Sequence, residues 1–230
     1  MKPIAQGWDT NMEEQILIDQ FITLQGHLRR VAFVPRCAGA MQLLPNYTDA
    51  VHAYNCAMIY LNLCAVNNTT PTCEVLTTLL KHDNLEAFTG DLLAPVKDAI
   101  NSKWDEVERQ VQNRAADLAH LPAGSYDVFC ELFPRDEQMV VHLNKMEILL
   151  VKSIDVYEFL IRMMEEYKCG NRNDWLLQSI KYGTKSLNER LHSLMTLEGQ
   201  IVKEGPRFGK FMHTAYQALL TAYKLWEVVA

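Results

Sequence analysis

The sequence is poor in the features that announce most known chemistries. Only ten of its 230 residues are glycine, and none of the motifs G-x-x-x-x-G-K-[ST], G-x-G-x-x-G, G-x-S-x-G or H-E-x-x-H occurs. Loops that cradle a phosphate on backbone N–H groups, the elbow of an α/β-hydrolase and a zincin helix are therefore not expected. There is no Cys-x-x-Cys pair, and no cysteine and histidine stand at the usual zinc spacing. An excess of basic charge is missing too. Lys and Arg number 22 against 28 Asp and Glu, a net charge of −6. Phosphate neutralisation drives non-specific nucleic-acid binding, so nucleic acid is not an expected partner.

The N-terminal residues Met1 to Asp9 carry no apolar h-region. The most apolar run, Val51 to Val66, has His52 as its one ionisable side chain apart from two cysteines and Tyr54 and Tyr60. At 16 residues it is shorter than the ~20 that a bilayer requires, so it reads as a buried core helix. The six cysteines, Cys37, Cys56, Cys64, Cys73, Cys130 and Cys169, read as reduced thiols in a cytoplasmic, reducing compartment. The sequons at Asn46, Asn67 and Asn68 are then chance matches.

Helical punctuation is abundant. Thr10 and Glu13 form a capping-box pattern ahead of Ile16, Leu17, Phe21, Leu24 and Leu28, a helix expected to reach about Ala32. An irregular piece, 35–45, follows. Thr48 caps the apolar helix. Thr70-Pro71 starts another that ends near Lys81. Asp83 or Asn84 opens a short helix ending near Gly90. Pro95 begins an amphipathic one with Val96, Ile100, Trp104, Val107, Val111, Ala115 and Leu118 on one stripe. Leu121 to Ser125 reads as a hinge. The longest helix is expected over about Asp136 to Lys168, apolar on most faces and hence central. The next starts at Asn173 or Asp174 and runs to about Lys203, with Gly183 as a break point. The last spans Pro206 to Val229, with a seam of Phe208, Phe211, Ala215, Leu219, Ala222, Trp226 and Val229 and a second row of Met212, Tyr216, Leu220 and Tyr223.

These periods imply an all-α fold: one multi-helix domain of about seven to nine helices, with a bundle of long helices in the C-terminal half. The natural division is an N-terminal helical part, 1–120, and a C-terminal bundle, 121–230.

Chemistry is thinly signalled. Glu189-x-x-His192 puts a carboxylate and an imidazole on one helical face, but a ferritin-like di-metal site needs two such motifs and two further glutamates. Cys73, near a helix N-terminus, has the setting that activates a thiol, though Glu74 opposes it. Arg29, Arg30 and Arg36 cluster after the first helix. Lys203, Arg207 and Lys210, around Gly205-Pro206, form the better anion-contact candidate, because a helix begins there. Trp8, Trp104 and Trp226 are candidate partner anchors, since tryptophan is enriched among interface hot spots.

On this reading no catalytic residue, metal ligand or cofactor is expected. The chain reads as a non-enzymatic protein–protein interaction module: an adaptor, scaffold or structural assembly subunit, viral or otherwise, with protein partners or copies of itself. Two alternatives stand beside it. One is a helical bundle that binds an apolar or lipid-like ligand between its Met-, Tyr- and Phe-bearing helices. The other is a metal- or thiol-dependent enzyme centred on Glu189 and His192 or on Cys73. The residues carry no recognised family resemblance.

Overall fold

A computed structural model describes residues 12–37, 42–91, 103–118, 126–201, 207–223 and 225. The described residues are helical, as expected. In chain order they form α1 (Met12–Leu28), a 3-10 turn (Arg29–Phe33), α2 (Asp49–Val66), α3 (Cys73–Lys81), α4 (Glu86–Thr89), α5 (Trp104–Leu118), α6 (Tyr126–Leu132), α7 (Asp136–Met139), α8 (Lys145–Lys168), α9 (Asp174–Ile201) and α10 (Phe208–Ala222). Among the described residues, the β structure is a single isolated bridge between Pro35 and Thr48. No described helix is long and apolar enough to cross a membrane.

The capping chemistry explains most boundaries. Thr48 Oγ1 accepts a hydrogen bond from Val51 N at 3.4 Å and starts α2. Asn173 Oδ1 accepts from Leu176 N at 2.7 Å and starts α9. The helix expected over 136–168 is in fact two. Asn144 accepts from the backbone N–H of Met146 and Glu147, each at 3.0 Å, while Glu147 accepts from Asn144 N at 2.9 Å. This reciprocal capping box satisfies helix-start donors that a continuous helix would bond internally, so α8 begins afresh at Lys145. Conversely, α9 runs through Gly183 without a break. A Cβ at 183 would lie 2.9 Å from Leu160 Cδ2, so the glycine serves close packing of α9 on α8.

The central helix is α8, which packs against α2, α3, α9 and α10. The main core gathers Cys56, Tyr60 and Leu63 of α2, Leu79 of α3, Leu150, Ile154 and Met164 of α8, Leu187 and Leu191 of α9, and Met212, Tyr216 and Leu220 of α10. It thus draws on residues from both sides of position 120. In α10 the inward row is Phe208, Met212, Tyr216 and Leu220, while Phe211 of the expected seam is 45% exposed. The row with Tyr216 offered the wider apolar face and took the core. A second, aromatic core stacks Phe129 on Phe133, with Phe88 edge-on to both. The positions of the proposed helix start at Pro95 and of the hinge at 121–125 lie outside the described residues.

Candidate metal centre

Three helices deliver polar side chains into an otherwise apolar interior. In α2, His52 lies one turn past the Thr48 cap, on the face that also buries Asp49 and Cys56. At the end of α3, the dipeptide His82-Asp83 follows Lys81, with His82 N bonded to Thr78 O at 3.0 Å. In α8, Asp155 and Glu158 stand three residues apart, and so share one helical face.

Four donor atoms converge there. His52 Nε2 is 3.1 Å from His82 Nε2 and 3.0 Å from Asp155 Oδ1. His82 Nε2 is 3.2 Å from Asp83 Oδ2 and 3.8 Å from Asp155 Oδ1, and His52 Nε2 is 3.9 Å from Asp83 Oδ2. Ligands bound at about 2.1 Å and at right angles stand roughly 3.0 Å apart. The donor set therefore has the spacing of a shell around one small divalent cation. Two imidazoles with two carboxylates suit a borderline transition metal.

The surrounding shell supports this assignment. His82 Nδ1 donates to Leu79 O at 2.8 Å. His52 Nδ1 pairs with Glu158 Oε2, which also accepts from Tyr47 Oη at 2.6 Å, while Glu158 Oε1 accepts from Asn55 Nδ2 at 2.9 Å. Both rings thus spend Nδ1 on an outer acceptor and aim Nε2 at the centre, the arrangement in which outer groups orient metal-binding histidines.

The electrostatics follow from the same contacts. Burial disfavours charge on His82, but Asp83 and Asp155 outweigh it and lift its pKa to about 9. His52 is raised as well: burial and Arg36 oppose the proton, and Asp155 and Glu158 favour it by more. Asp155 is driven well below the usual carboxylate range, because its hydrogen bonds to the two imidazoles overcome burial. Burial likewise works against the charge on Glu158, and His52, Tyr47 and Asn55 hold its pKa low. The carboxylates thus favour positive charge at this point, whether as protons on the imidazoles or as a bound cation.

Arg36 borders the centre. Its Nη1 pairs with Asp83 and lies 3.5 Å from Asp49 Oδ1, and its Nη2 lies 3.5 Å from Asp155 Oδ1. The connection between α1 and α2 places it: Arg36 N donates to Tyr47 O at 2.9 Å, and Asp49 N donates to Val34 O at 3.1 Å. Glu166 of α8 anchors residues 43–44 of this connection by accepting from Leu43 N at 2.8 Å and Leu44 N at 2.9 Å. With Asp155 34% exposed at its side chain, the centre opens to solvent on the side of Asp155 and Arg36.

Among the described residues, those singled out from sequence lie elsewhere, apart from Arg36. Trp8, Lys203 and Trp226 lie outside the described residues, as does the side chain of Trp104. Arg207 and Lys210 are exposed at the start of α10, where they line a small recess with Met195 and Glu198. Glu189 and His192 are both exposed on α9, and Cys73 is exposed at the start of α3. Of the basic cluster after α1, only Arg36 joins the centre. The signals that could have found the site were a lone histidine inside an apolar helix, the His82-Asp83 dipeptide, and the Asp155/Glu158 pair within a mostly apolar one.

Residues 23–199 match the family described as 5'-deoxynucleotidase YfbR-like. No curated protein matches the chain. Two solved structures share its fold. One is an HD-domain phosphohydrolase from Listeria innocua, 16% identical, with a TM-score of 0.67 over 92% of this chain and 95% of that one. The other, described as a metal-dependent phosphohydrolase from Magnetospirillum magnetotacticum MS-1, is 16% identical, with a TM-score of 0.56 over 93% of this chain and 97% of that one. The family match overturns the expectation of a non-enzymatic adaptor, scaffold or structural protein. That expectation rested on missing motifs, and the donors gathered here share no contiguous stretch longer than the His82-Asp83 dipeptide. The segments that carry these donors, around positions 52, 82–83 and 155, are separated by 30 and more residues, and only folding brings them together.

Proposed function

The chain belongs to the YfbR-like 5'-deoxynucleotidase family, and from that premise we propose that it is a metal-dependent phosphomonoesterase acting on 2'-deoxynucleoside 5'-monophosphates. The observation that carries the reading is the convergence of His52 Nε2, His82 Nε2, Asp83 Oδ2 and Asp155 Oδ1, with both histidines locked through Nδ1.

His52, His82, Asp83 and Asp155 would hold one divalent cation, which supplies Lewis acidity at the phosphoryl group and a water of lowered pKa. The protein's own part is positioning. Glu158 keeps the proton of His52 on Nδ1, so that Nε2 stays a lone-pair donor. Leu79 O does the same for His82. Arg36, planar and permanently charged, suits an incoming phosphate, because a guanidinium can bind two of its oxygens at once. In the overall reaction a water oxygen forms the new bond to phosphorus, the bond from phosphorus to the 5' oxygen breaks, and that oxygen leaves as the nucleoside hydroxyl after gaining a proton.

The test is release of inorganic phosphate from deoxynucleoside and ribonucleoside 5'-monophosphates by metal-stripped protein resupplied with Mn2+, Co2+ or Zn2+. Turnover is expected with metal, is expected to favour the deoxy substrate, and is expected to vanish in Asp155→Asn. Equal rates with and without metal would end this reading.

Two coarser features fit an enzyme equally well. The exposed apolar side chains of Phe21, Ile22 and Phe33 support self-association of the chain, which sedimentation velocity would test. The six free thiols support a reducing, cytoplasmic setting.

A further inference from the structure

Asp155, Glu158, Arg162 and Glu166 follow one another along α8 at steps of three and four residues, and so stand in one row on its surface. The first two belong to the metal centre and its outer shell. The other two reach for the connection between α1 and α2, the segment that delivers Arg36.

The Glu166 side chain is 1% exposed, and both of its oxygens are engaged. Oε2 accepts from Leu43 N at 2.8 Å and from Asn171 Nδ2 at 3.0 Å, while Oε1 accepts from Leu44 N at 2.9 Å and from Arg162 Nη2 at 3.3 Å. Arg162 adds two holds of its own. Its Nη2 donates to Leu44 O, and its guanidinium lies 5.0 Å from the centre of the Tyr47 ring. Gln42 carries the grip across the connection, where its Nε2 donates to Arg36 O at 2.6 Å and to Cys37 O at 3.3 Å. Arg36 N donates in turn to Tyr47 O at 2.9 Å. The backbone N–H and C=O of Arg36 are thus both bonded to the stretch 42–47 that α8 holds. Packing alone would not fix that stretch. Leu43, Pro45 and Asn46 are exposed, so beside Tyr47 it has little apolar area to bury.

We propose that Glu166 is a positioning residue for phosphate recognition, acting through residues 42–47 on the guanidinium of Arg36. The proposal rests on the phosphomonoesterase reading above. A guanidinium that meets two phosphate oxygens at once must be set in both place and plane, and the backbone of Arg36 is where that setting begins. The carboxylate is the right group at 166 because four donors converge on its two acceptor oxygens. A glutamine offers one oxygen and turns an amide N–H2 toward the remaining donors.

The experiment is a double-mutant cycle on the Mn2+-loaded full chain, read as phosphate release from deoxyadenosine 5'-monophosphate. Glu166→Gln is expected to lower kcat/KM about tenfold, chiefly in KM, as for a displaced binding group. Its Mn2+ affinity is expected to stay within about twofold of wild type. In an Arg36→Met background the same substitution should change kcat/KM by less than about twofold, because the route it acts through is gone. An equal loss in both backgrounds would mean that Glu166 only stabilises the fold, and would overturn the proposal. Unchanged kcat/KM in Glu166→Gln would overturn it as well. So would weakened Mn2+ binding, which would place the effect on the metal centre through Tyr47 and Glu158. If Glu166→Gln melts below the assay temperature, Gln42→Met, which removes the bonds to Arg36 O and Cys37 O, carries the same cycle. A loss seen only where Arg36 is present is expected, and no loss would overturn the proposal. A wild-type chain without metal-dependent phosphate release would bring down this proposal and the reading beneath it. Turnover insensitive to Glu166 would leave that reading standing.

Discussion

His82 Nδ1 donates to the carbonyl oxygen of Leu79, three residues earlier, at 2.8 Å. The bond forms where α3 ends and a carbonyl is released from the helical ladder. It commits the opposite nitrogen, Nε2, to the centre shared with His52 and Asp155. A local feature of one helix terminus thereby sets which nitrogen of His82 the proposed metal would meet.

Metal binding is expected to release protons. With its pKa lifted to about 9 by Asp83 and Asp155 against the opposing effect of burial, His82 is protonated in the metal-free protein at neutral pH. A cation must displace that proton, so apparent affinity should rise about tenfold per pH unit up to about pH 9. Calorimetry of Mn2+ binding at pH 7, in buffers of different ionisation enthalpy, measures the release. A heat independent of buffer would contradict it.

The same shift sets the stability of the metal-free chain. The folded pKa of His82 lies above the ordinary value of 6.5. Its stabilising contribution is therefore whole below about pH 6.5 and is lost as pH climbs through about 9. Asp155, whose pKa is held low, stays ionised throughout that window. Melting temperature in the presence of a chelator should fall between pH 6.5 and 9.5, and saturating Mn2+ should flatten that fall.

Glu158→Gln keeps the shape of the side chain but weakens its hold on His52 Nδ1, Tyr47 Oη and Asn55 Nδ2. Loss of an outer-shell partner of this kind costs about 10–100-fold in metal affinity or activity. Metal titration and phosphate release should both show it. Unchanged values would mean that Glu158 serves only to fill the interior.

Arg36→Met removes the guanidinium that faces Asp49, Asp83 and Asp155. Breaking a buried ion pair on one side costs about 3–5 kcal/mol, so the metal-free variant should unfold at markedly lower denaturant. Phosphate release should fall by roughly 10²–10³ in kcat/KM, the scale of losing one preorganised electrostatic donor. Full activity in a folded variant would remove Arg36 from the phosphate-binding role.

Asn144→Ala tests the start of α8 apart from the chemistry. Asn144 is exposed and contributes through its cap bonds to Met146 and Glu147. Loss of such a cap costs about 1 kcal/mol, readable in urea unfolding, with kcat unchanged.

The helical architecture was legible in the residues because it is local. Thr48, Asn173 and the apolar spacing of α2, α9 and α10 act within a few positions, and each predicted helix there has its counterpart. Local chemistry that competes is harder to weigh. The pattern over 136–168 reads as one helix until the Asn144/Glu147 box is recognised as a second start. In α10 two apolar rows ran side by side, and only packing against α8 and α9 selected the row of Met212 and Tyr216 over that of Phe211.

The centre was not legible in this way, for a physical reason. Its ligands sit at 52, 82, 83 and 155, in elements joined by loops of unconstrained length, so no spacing announces them. Arg36 read as one of three arginines clustered after the first helix, and Asp155 and Glu158 were not singled out within a helix that read as apolar on most faces. Composition and period determined that the chain would coil into packed helices around an apolar interior. The tertiary structure alone decided that His52, His82, Asp83 and Asp155 would meet within about 4 Å, because bringing donors from distant segments to one point is a property of helix packing and not of any segment by itself.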